Sequence, residues 1–443
     1  MKTTLIILLC KLFRFAGRLI GKGSSMPGKI ALKLDPNILK KVKLPPYIVA
    51  VTGSNGKTST VEMIAHVLTE SGRRVAYNKE GSNQIEGVTT FILNDCTLSG
   101  KVKSEMILLE SDERFARHTF KHFAPTHYVF TNLYRDQLTR NGHPEWIFHI
   151  LKESITSAGT QLLLNADDPL VSCFGIAREN VQYFGAGRLS TDVTENTSIY
   201  NDGAYCPNCK EPLTYDYYHY NHIGCYHCDN CGLKRNDTAY TITEANLAEG
   251  YVIINDKNRI ELSFKSLYHC YNTLATFAIC SILGVPDEEI CKTLNRYILK
   301  SGRIVTFRAG EHLGTLLTSK HENSVSYDQS IRVATQDRDD CTILVIVDAV
   351  SRKYFTSETS WLWDIDFELL SAPTIKKVVL AGQYCNDLAL RFSYCGIDEG
   401  KITVIGSIEQ AVDYLKESAV GHIYVITCFS DKDKFLSKVE LDG

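Results

Sequence analysis

The sequence predicts an α/β fold with parallel sheets, in which a nucleotide-binding central domain is followed by a second α/β domain. Short apolar runs typical of strands alternate with segments of helical periodicity along most of the chain. Several of these runs end in polar or acidic residues, as strands of a parallel sheet do at a binding crevice. A dense group of cysteines between residues 206 and 231 interrupts the pattern and predicts an inserted metal-binding module.

Composition sets the outer limits of the interpretation. The chain has 443 residues, 44% hydrophobic and 22% charged, which is typical of a globular protein of two or three domains. Its net charge of −3 gives no general attraction for nucleic acid, and we expect no nucleic-acid partner. Ten of the fifteen cysteines stand singly, mostly in apolar runs, which favours a reducing, cytoplasmic environment.

The strongest motif lies between residues 46 and 60. The apolar run 46–51 predicts a buried strand, the sequence TGSNGKTST follows, and a helical pattern comes next. Glycines let the backbone approach phosphate oxygens, Lys57 can reach the terminal phosphates, and the Thr58 hydroxyl can bind Mg²⁺. The predicted nucleotide-binding residues are Gly53, Ser54, Asn55, Gly56, Lys57, Thr58 and Ser59.

A second strand-like run, 106–110, ends in an acidic cluster. Glu110 stands at the predicted carboxyl end of this strand, where its carboxylate can hold Mg²⁺ directly or through water. The neighbouring Asp112 and Glu113 are interpreted as solvated loop residues. The runs 127–138 and 161–169 repeat the pattern of a strand followed by polar residues.

The cysteine cluster predicts a structural zinc site. Cys206 and Cys209 form one CxxC pair and Cys228 and Cys231 a second, with 18 residues between the pairs. Four thiolates in this arrangement bind Zn²⁺ tetrahedrally. Cys225 is the spare cysteine, and the Tyr- and His-rich segment between the pairs is expected to cover the metal site.

The segments GSNGKTST, TNLYRDQL and LLLNADDP resemble the central ATPase domain of the Mur ligase family, and the similarity covers almost the whole chain. This resemblance implies a central domain at 46–300 and a Rossmann-like C-terminal domain at 301–443. The cysteine cluster is then a zinc-ribbon insertion at about 203–235 within the central domain, which most members of the family lack. The resemblance also implies use of ATP and Mg²⁺ to activate a carboxylate as an acyl phosphate, with Lys57 and Glu110 in catalysis. Asn272 is then expected near the adenine, and Arg303 facing the nucleotide.

The cysteine insertion and the segment SETSWLWDIDFE (357–368) are similar to the MurT branch of that family. This implies amidation of the D-glutamate α-carboxylate in a lipid II-type precursor, giving D-isoglutamine. Ammonia would come from a GatD-like glutaminase in a heterodimer, since the chain has no Gly-x-Cys-x-Gly nucleophile motif of its own. Glu358 stands where the branch has an aspartate that orients the glutaminase's catalytic histidine.

The C-terminal domain departs from the branch pattern, and alternatives stay open. Residues 349–357 lack acids and amides that are usual there, and Lys320 is kept while its neighbours differ. One alternative is a Mur-type paralogue that joins an amino acid or another amine without a glutaminase. A nucleic-acid-dependent NTPase and a non-catalytic scaffold are further alternatives, which the single lysine in 206–232 and the complete phosphate loop disfavour.

Residues 1–45 predict an N-terminal helical segment. Ile6, Leu9, Phe13 and Ala16 recur at helical spacing with basic residues between them, which favours a helix packed on the body of the protein. The alternative is weak peripheral contact with an anionic membrane surface, at the inner face of the membrane.

Overall fold

The structure is a computed structural model, and it describes residues 2–19, 23–78, 82–196, 198–298, 304–335, 339–349 and 358–441, apart from the side chains of residues 138 and 139. The chain forms two compact units. The first comprises Met1–Tyr134, His143–Asn196 and Asn201–Leu299, and the second comprises Arg135–Gly142, Thr197–Tyr200 and Lys300–Gly443.

The helices of the described ranges are α1 (Lys2–Leu19), α2 (Met26–Leu34), α3 (Ile38–Lys41), α4 (Lys57–Glu70), α5 (Ile85–Asp95), α6 (Ala116–Thr119), α7 (Leu138–Asn141), α8 (Pro144–Ser154), α9 (Pro169–Ser172), α10 (Leu267–Ile282), α11 (Asp287–Leu294), α12 (Ser324–Thr335), α13 (Cys385–Phe392), α14 (Ile408–Ser418) and α15 (Phe429–Leu436). Within the same ranges, none combines the length and apolar character needed to cross a membrane.

The strands of the first unit are β1 (Tyr47–Thr52), β2 (Val75–Tyr77), β3 (Met106–Glu110), β4 (His127–Phe130), β5 (Gln161–Asn165), β6 (Val181–Ala186), β7 (Thr214–Tyr220), β8 (Ile223–His227), β9 (Tyr240–Asn246), β10 (Tyr251–Ile254) and β11 (Asn258–Glu261). Those of the second are β12 (Ile304–Ala309), β13 (His312–Ser319), β14 (Cys341–Ile346), β15 (Ile375–Ala381), β16 (Ile402–Ile405), β17 (His422–Cys428) and β18 (Glu440–Leu441).

The first unit is organised by one large sheet, which confirms the predicted α/β fold. Its strand order is β11-β10-β9-β6-β5-β4-β1-β3-β2, parallel from β2 to β9 and antiparallel at β10 and β11. Strand β1 lies between β3 and β4, and its residues after the first are buried. The loop after β1 therefore emerges at the carboxyl edge of the sheet beside the end of β3, where Val51 is in register with Glu110.

The N-terminal helices pack into the core of the first unit, but the predicted contact face of α1 is only partly right. Ile6, Ile7 and Cys10 are buried in that core, next to residues of α5. Phe13 and Ala16, predicted on the packed face, are exposed. The helix is apolar on two sides, so the spacing of its apolar residues alone could not identify the side that is buried.

The second unit contains the other large sheet, with strand order β16-β15-β14-β17-β13-β12-β18. The strands from β16 to β13 are parallel, and helix α14 connects β16 to β17 along the chain. This arrangement agrees with a Rossmann-like domain.

The single cysteines behave as small buried hydrophobic residues, as predicted. Most of those outside the ribbon are buried, and none forms a disulfide. Burial raises the pKa of the Cys10 thiol to about 11 and that of Cys96 to about 12, so both remain protonated at neutral pH.

Candidate functional site

The predicted phosphate loop follows β1 and opens directly into α4. Gly53 and Gly56 adopt φ angles of +135° and +85°, which favour glycine. A Cβ at Gly53 would lie 2.2 Å from the Thr131 hydroxyl, and one at Gly56 would lie 2.1 Å from the Asn272 side-chain oxygen. The loop therefore requires both glycines, and Asn272 lies against the loop itself.

The segment after β4 forms hydrogen bonds with the loop. The Ser54 amide donates to the Asn132 carbonyl at 2.9 Å, and the Asn55 amide donates to the Asn132 side-chain oxygen at 2.8 Å. The Ser54 hydroxyl donates to the Tyr134 carbonyl at 3.0 Å and accepts from the Tyr134 amide at 2.9 Å. These contacts fix the loop's shape through the backbone of a neighbouring strand end.

Lys57 is buried and forms an ion pair with the buried Glu113. Its ammonium group also donates to the Gly53 carbonyl. The interpretation of Glu113 as a solvated loop residue is therefore wrong. A charge so close to a strand end is usually solvated, and only the fold shows that the turn after β3 brings this carboxylate to the lysine.

Thr58 and Glu110, predicted from separate segments to share Mg²⁺, lie in direct contact. The Thr58 hydroxyl donates to one Glu110 carboxylate oxygen at 2.8 Å, and the Asn83 amide group donates to the other at 2.9 Å. A hydroxyl and a carboxylate are ligands that Mg²⁺ takes beside phosphate oxygens and water. The side chains present therefore fit a magnesium site, and Asn83 is a partner of Glu110 that the sequence analysis missed.

The four predicted zinc ligands come together as a cluster. Their sulfur atoms all lie within 4.8 Å of one another, with Cys206 and Cys231 at 3.6 Å and Cys209 and Cys228 at 3.4 Å. Tetrahedral Zn²⁺ with bonds of about 2.3 Å would separate its sulfur ligands by about 3.8 Å. The donor set therefore fits zinc, whereas Cys225 lies on β8 and contacts the Asp216 carboxylate at 3.4 Å.

The surroundings of the four thiols favour ionisation of two of them. Hydrogen bonding to the Asn230 side chain lowers the pKa of Cys209, and hydrogen bonding to the Asn208 side chain lowers that of Cys231. Burial raises the pKa of Cys206.

The Tyr- and His-rich segment forms the β7–β8 hairpin, whose tip is buried in the first unit instead of only covering the cysteines. His219, Asn221 and His222 at the tip are buried. The Tyr220 hydroxyl lies 2.7 Å from that of Tyr134, the residue whose backbone holds Ser54. Burial raises the pKa of both tyrosines, so both hydroxyls stay protonated and share this hydrogen bond.

The two acids of the NADDP segment serve the local structure. Asp168 caps α9 and accepts from the Leu133 amide at 2.7 Å, just before Tyr134. Asp167 accepts from the Tyr271 hydroxyl at 2.6 Å and from Arg235 at 2.5 Å. Both carboxylates are buried. Asp168 connects α9 to the segment that holds the phosphate loop, and Asp167 connects Tyr271 to Arg235.

In the second unit, the Asp136 carboxylate contacts two residues of the segment 320–323. The Asn323 side chain donates to its carboxylate at 2.7 Å, and the Lys320 ammonium lies 3.7 Å from it. Asn323 is a polar partner that the sequence analysis missed, because 187 residues separate it from Asp136 along the chain.

Glu358 lies exposed at the start of a described range, where its carboxylate accepts from the Ser360 amide at 2.6 Å. The neighbouring Trp361 is buried against Tyr327, so the segment after Glu358 is anchored in the core of the second unit. Arg303 and most of the divergent stretch 349–357 lie outside the described residues.

Two known protein-family domains match the chain, one in each half. Residues 51–206 match the Mur ligase middle domain, and residues 321–431 match the MurT ligase C-terminal domain. The chain is 32% identical over 393 residues to the lipid II isoglutaminyl synthase (glutamine-hydrolyzing) subunit MurT of Staphylococcus aureus strain COL, covering 88% of this chain and 87% of that protein. It is 30% identical to the Streptococcus pneumoniae protein of the same name, covering 97% and 95%.

Solved structures show the same fold at lower identity. A pseudomurein peptide ligase type C from Methanothermus fervidus superposes with a TM-score of 0.68 at 22% identity, covering 90% of this chain and 79% of that one. The MurF ligase from Thermotoga maritima in complex with ADP gives a TM-score of 0.61 at 16% identity, covering 93% and 83%.

Proposed function

Because this chain belongs to the MurT family, whose relatives above are named as synthase subunits, we propose that it is the ATP-dependent amidating subunit of a lipid II isoglutaminyl synthase, a carbon–nitrogen ligase. Its substrate is the α-carboxylate of D-glutamate in the stem peptide of a lipid II-type precursor, and its product is D-isoglutamine. The observation that carries this proposal is the phosphate loop with Lys57 and the Thr58–Glu110 pair, in a chain similar to MurT over most of its length.

ATP would bind with its phosphates on residues 53–59. The loop backbone and the start of α4 favour negative charge there, and Lys57 supplies a cation held in place by Glu113. Thr58 and Glu110 would hold Mg²⁺, which supplies charge neutralisation on the phosphates when bound. The Asn272 side chain lies against the loop at Gly56 and would therefore limit where the nucleotide can lie on this part of the loop.

The reaction then proceeds in two transfers. An oxygen of the glutamate α-carboxylate attacks the γ-phosphorus, and the bond between that phosphorus and the oxygen bridging it to the β-phosphate breaks. ADP departs, and the substrate is left as an acyl phosphate. Ammonia attacks the acyl carbon, the carbon–oxygen bond to phosphate breaks, and the nitrogen gives up a proton, which the released phosphate takes up, to leave the amide. The protein's part is to align these groups and exclude water, because water would hydrolyse the acyl phosphate.

Zn²⁺ would be held by Cys206, Cys209, Cys228 and Cys231 and would supply structure rather than chemistry. The ammonia source would be a GatD-like glutaminase subunit, in agreement with the word subunit in the names of the relatives. The lipid anchor of the precursor would place the reaction at the inner face of the membrane.

The function is tested by incubating the purified chain with ATP, Mg²⁺, ammonium chloride and a lipid II-type precursor, without any partner. We expect ADP release that requires the precursor, and mass spectrometry should show that the α-carboxyl group of D-glutamate has become an amide. Failure to form the amide under these conditions contradicts the proposal. A product that carries an added amino acid instead would favour the paralogue without a glutaminase.

The role of Glu358 is tested in the complex with the copurified glutaminase. If Glu358 orients the partner's catalytic histidine, Glu358→Gln lowers glutamine hydrolysis by about 10⁴-fold, as when the aspartate of a catalytic triad becomes its amide. Amidation fed with free ammonium should persist, because that chemistry depends on Lys57. Glu417→Gln, at another exposed glutamate of the second unit, is the matched control. Equal hydrolysis by both variants would refute the role of Glu358.

A further inference from the structure

Helix α1 carries an apolar stripe that faces away from the core. The stripe consists of Leu5, Leu8, Leu12, Phe15 and Leu19. Their side chains are between 41% and 75% exposed, although all five are large and apolar. At about 100° per residue these positions point in directions within about 80° of each other, opposite the buried Ile6, Ile7 and Cys10. The stripe is therefore one continuous face along a helix of ~27 Å.

Positive charge accompanies the stripe. Residues 1–45 contain ten Lys and Arg against one acid, Asp35, and thus carry +9 in a chain whose net charge is −3. Among the described residues, the exposed cations of this segment are Lys2, Arg18, Lys29, Lys33, Lys40, Lys41 and Lys43. Two more large apolar side chains on α2, Met26 and Leu34, are also exposed. The segment 1–45 therefore combines a net positive charge with exposed apolar side chains.

We infer that the α1 stripe, together with the exposed cations of residues 1–45, binds anionic phospholipid, with α1 lying in the plane of the interface. An apolar face with basic residues around it has the chemistry of interfacial helices, which bury Leu and Phe among acyl chains while Lys and Arg meet anionic headgroups. A second copy of the chain is a poorer occupant, because two segments that each carry a net charge of +9 repel each other.

The inference deepens the proposed function, since a lipid-linked substrate lies at such a surface, but its evidence is independent of catalysis. Binding to lipid would hold the enzyme in the layer where the precursor diffuses. The stripe lies on the first unit, which also holds the phosphate loop. A chain inactive as a ligase would still bind vesicles if this inference holds, so the two proposals can fail separately.

The test is flotation of the purified full-length chain with vesicles, without substrate or partner. We expect binding to phosphatidylcholine vesicles containing phosphatidylglycerol, and at least about 10-fold weaker binding to phosphatidylcholine alone. Raising the salt from about 0.1 M to about 0.5 M should also weaken binding. Equal binding to both vesicle types, or none to the anionic ones, overturns the inference.

Two paired variants locate the binding surface. Leu12→Gln/Phe15→Gln should weaken binding to anionic vesicles at least about 10-fold with unchanged circular dichroism, because two apolar anchors are removed without a change in charge. Leu390→Gln/Tyr394→Gln removes side chains of similar exposure from the second unit and should bind as the wild type does. If the stripe variant keeps wild-type vesicle binding, or instead changes only the oligomeric state or the capture of a glutaminase, the stripe is a protein interface and the inference is wrong.

Discussion

The phosphate loop and the cysteine ribbon belong to the same unit but hold their functional groups in different ways. The loop lies between a buried strand and the start of a 14-residue helix, and its charged lysine is balanced by Glu113. The ribbon has a two-stranded hairpin and four thiols, of which Cys231 is exposed. An isolated hairpin is marginally stable by itself, so we expect the ribbon to depend on its contacts with the body and on a metal held by the four thiols. The loop is therefore preorganised by an ordinary core, whereas the ribbon has the small core and the thiol cluster expected of a module that a metal ion would stabilise.

The largest expected effect is on the loop. Lys57→Ala should lower ATP turnover with the precursor by at least about 10³-fold, because the cation that meets the developing phosphate charge is removed. The same change should lower the free energy of unfolding by about 3 kcal/mol, because the buried Glu113 carboxylate loses its ion pair with Lys57. Turnover is measured by phosphate release and stability by urea unfolding.

The matched control is Lys57→Ala/Glu113→Gln. It should recover most of the lost stability, since the uncompensated charge is gone, while remaining inactive. Recovery of stability without recovery of turnover separates the structural role of the pair from its catalytic role. Wild-type turnover in Lys57→Ala would disprove the assignment of the phosphate loop.

The next effect concerns the ribbon. The purified chain should contain about one zinc per molecule, and Cys228→Ser should lose it because three thiolates remain. Cys225→Ser is the matched control: it changes a cysteine only three residues away on the hairpin and should retain the metal. Metal content is measured by mass spectrometry of the ion, and hydrogen exchange over residues 206–232 reports the loss of structure. Equal loss of zinc from both variants would show that the ligand set is wrong.

The two regions also differ in how far the sequence predicts them. The strand, loop and helix around Lys57 follow from a continuous local pattern, and the cysteine spacing identifies four ligands because ligand geometry fixes that spacing. The local pattern does not predict contacts between distant segments. Such contacts bring Glu113 to Lys57, bring Asn83 to Glu110 and bury the tip of the hairpin. The prediction of the buried face of α1 was partly wrong for a related reason, since an apolar pattern on two sides of a helix does not indicate which side is buried.

The smallest expected effect tests the link between the two regions. The hydroxyls of Tyr220 on the hairpin and Tyr134 under the loop share a buried hydrogen bond, and the Tyr134 backbone holds Ser54. Tyr220→Phe should therefore lower the free energy of unfolding by about 1 kcal/mol and raise the KM for ATP a few-fold. Tyr218→Phe is the matched control, because this half-buried ring stacks on Tyr215 within the ribbon, at a centroid distance of 4.3 Å.

A double-mutant cycle with Tyr134→Phe shows whether the bond itself carries the effect. If it does, Tyr134→Phe/Tyr220→Phe should cost little more stability than either single change, because each removes the same hydrogen bond. Additive losses, together with an unchanged KM for ATP in Tyr220→Phe, would mean that the hairpin packs on the body without positioning the loop. The ribbon would then be a stabilising attachment with no influence on the nucleotide site, and loss of zinc should leave ATP binding unaltered.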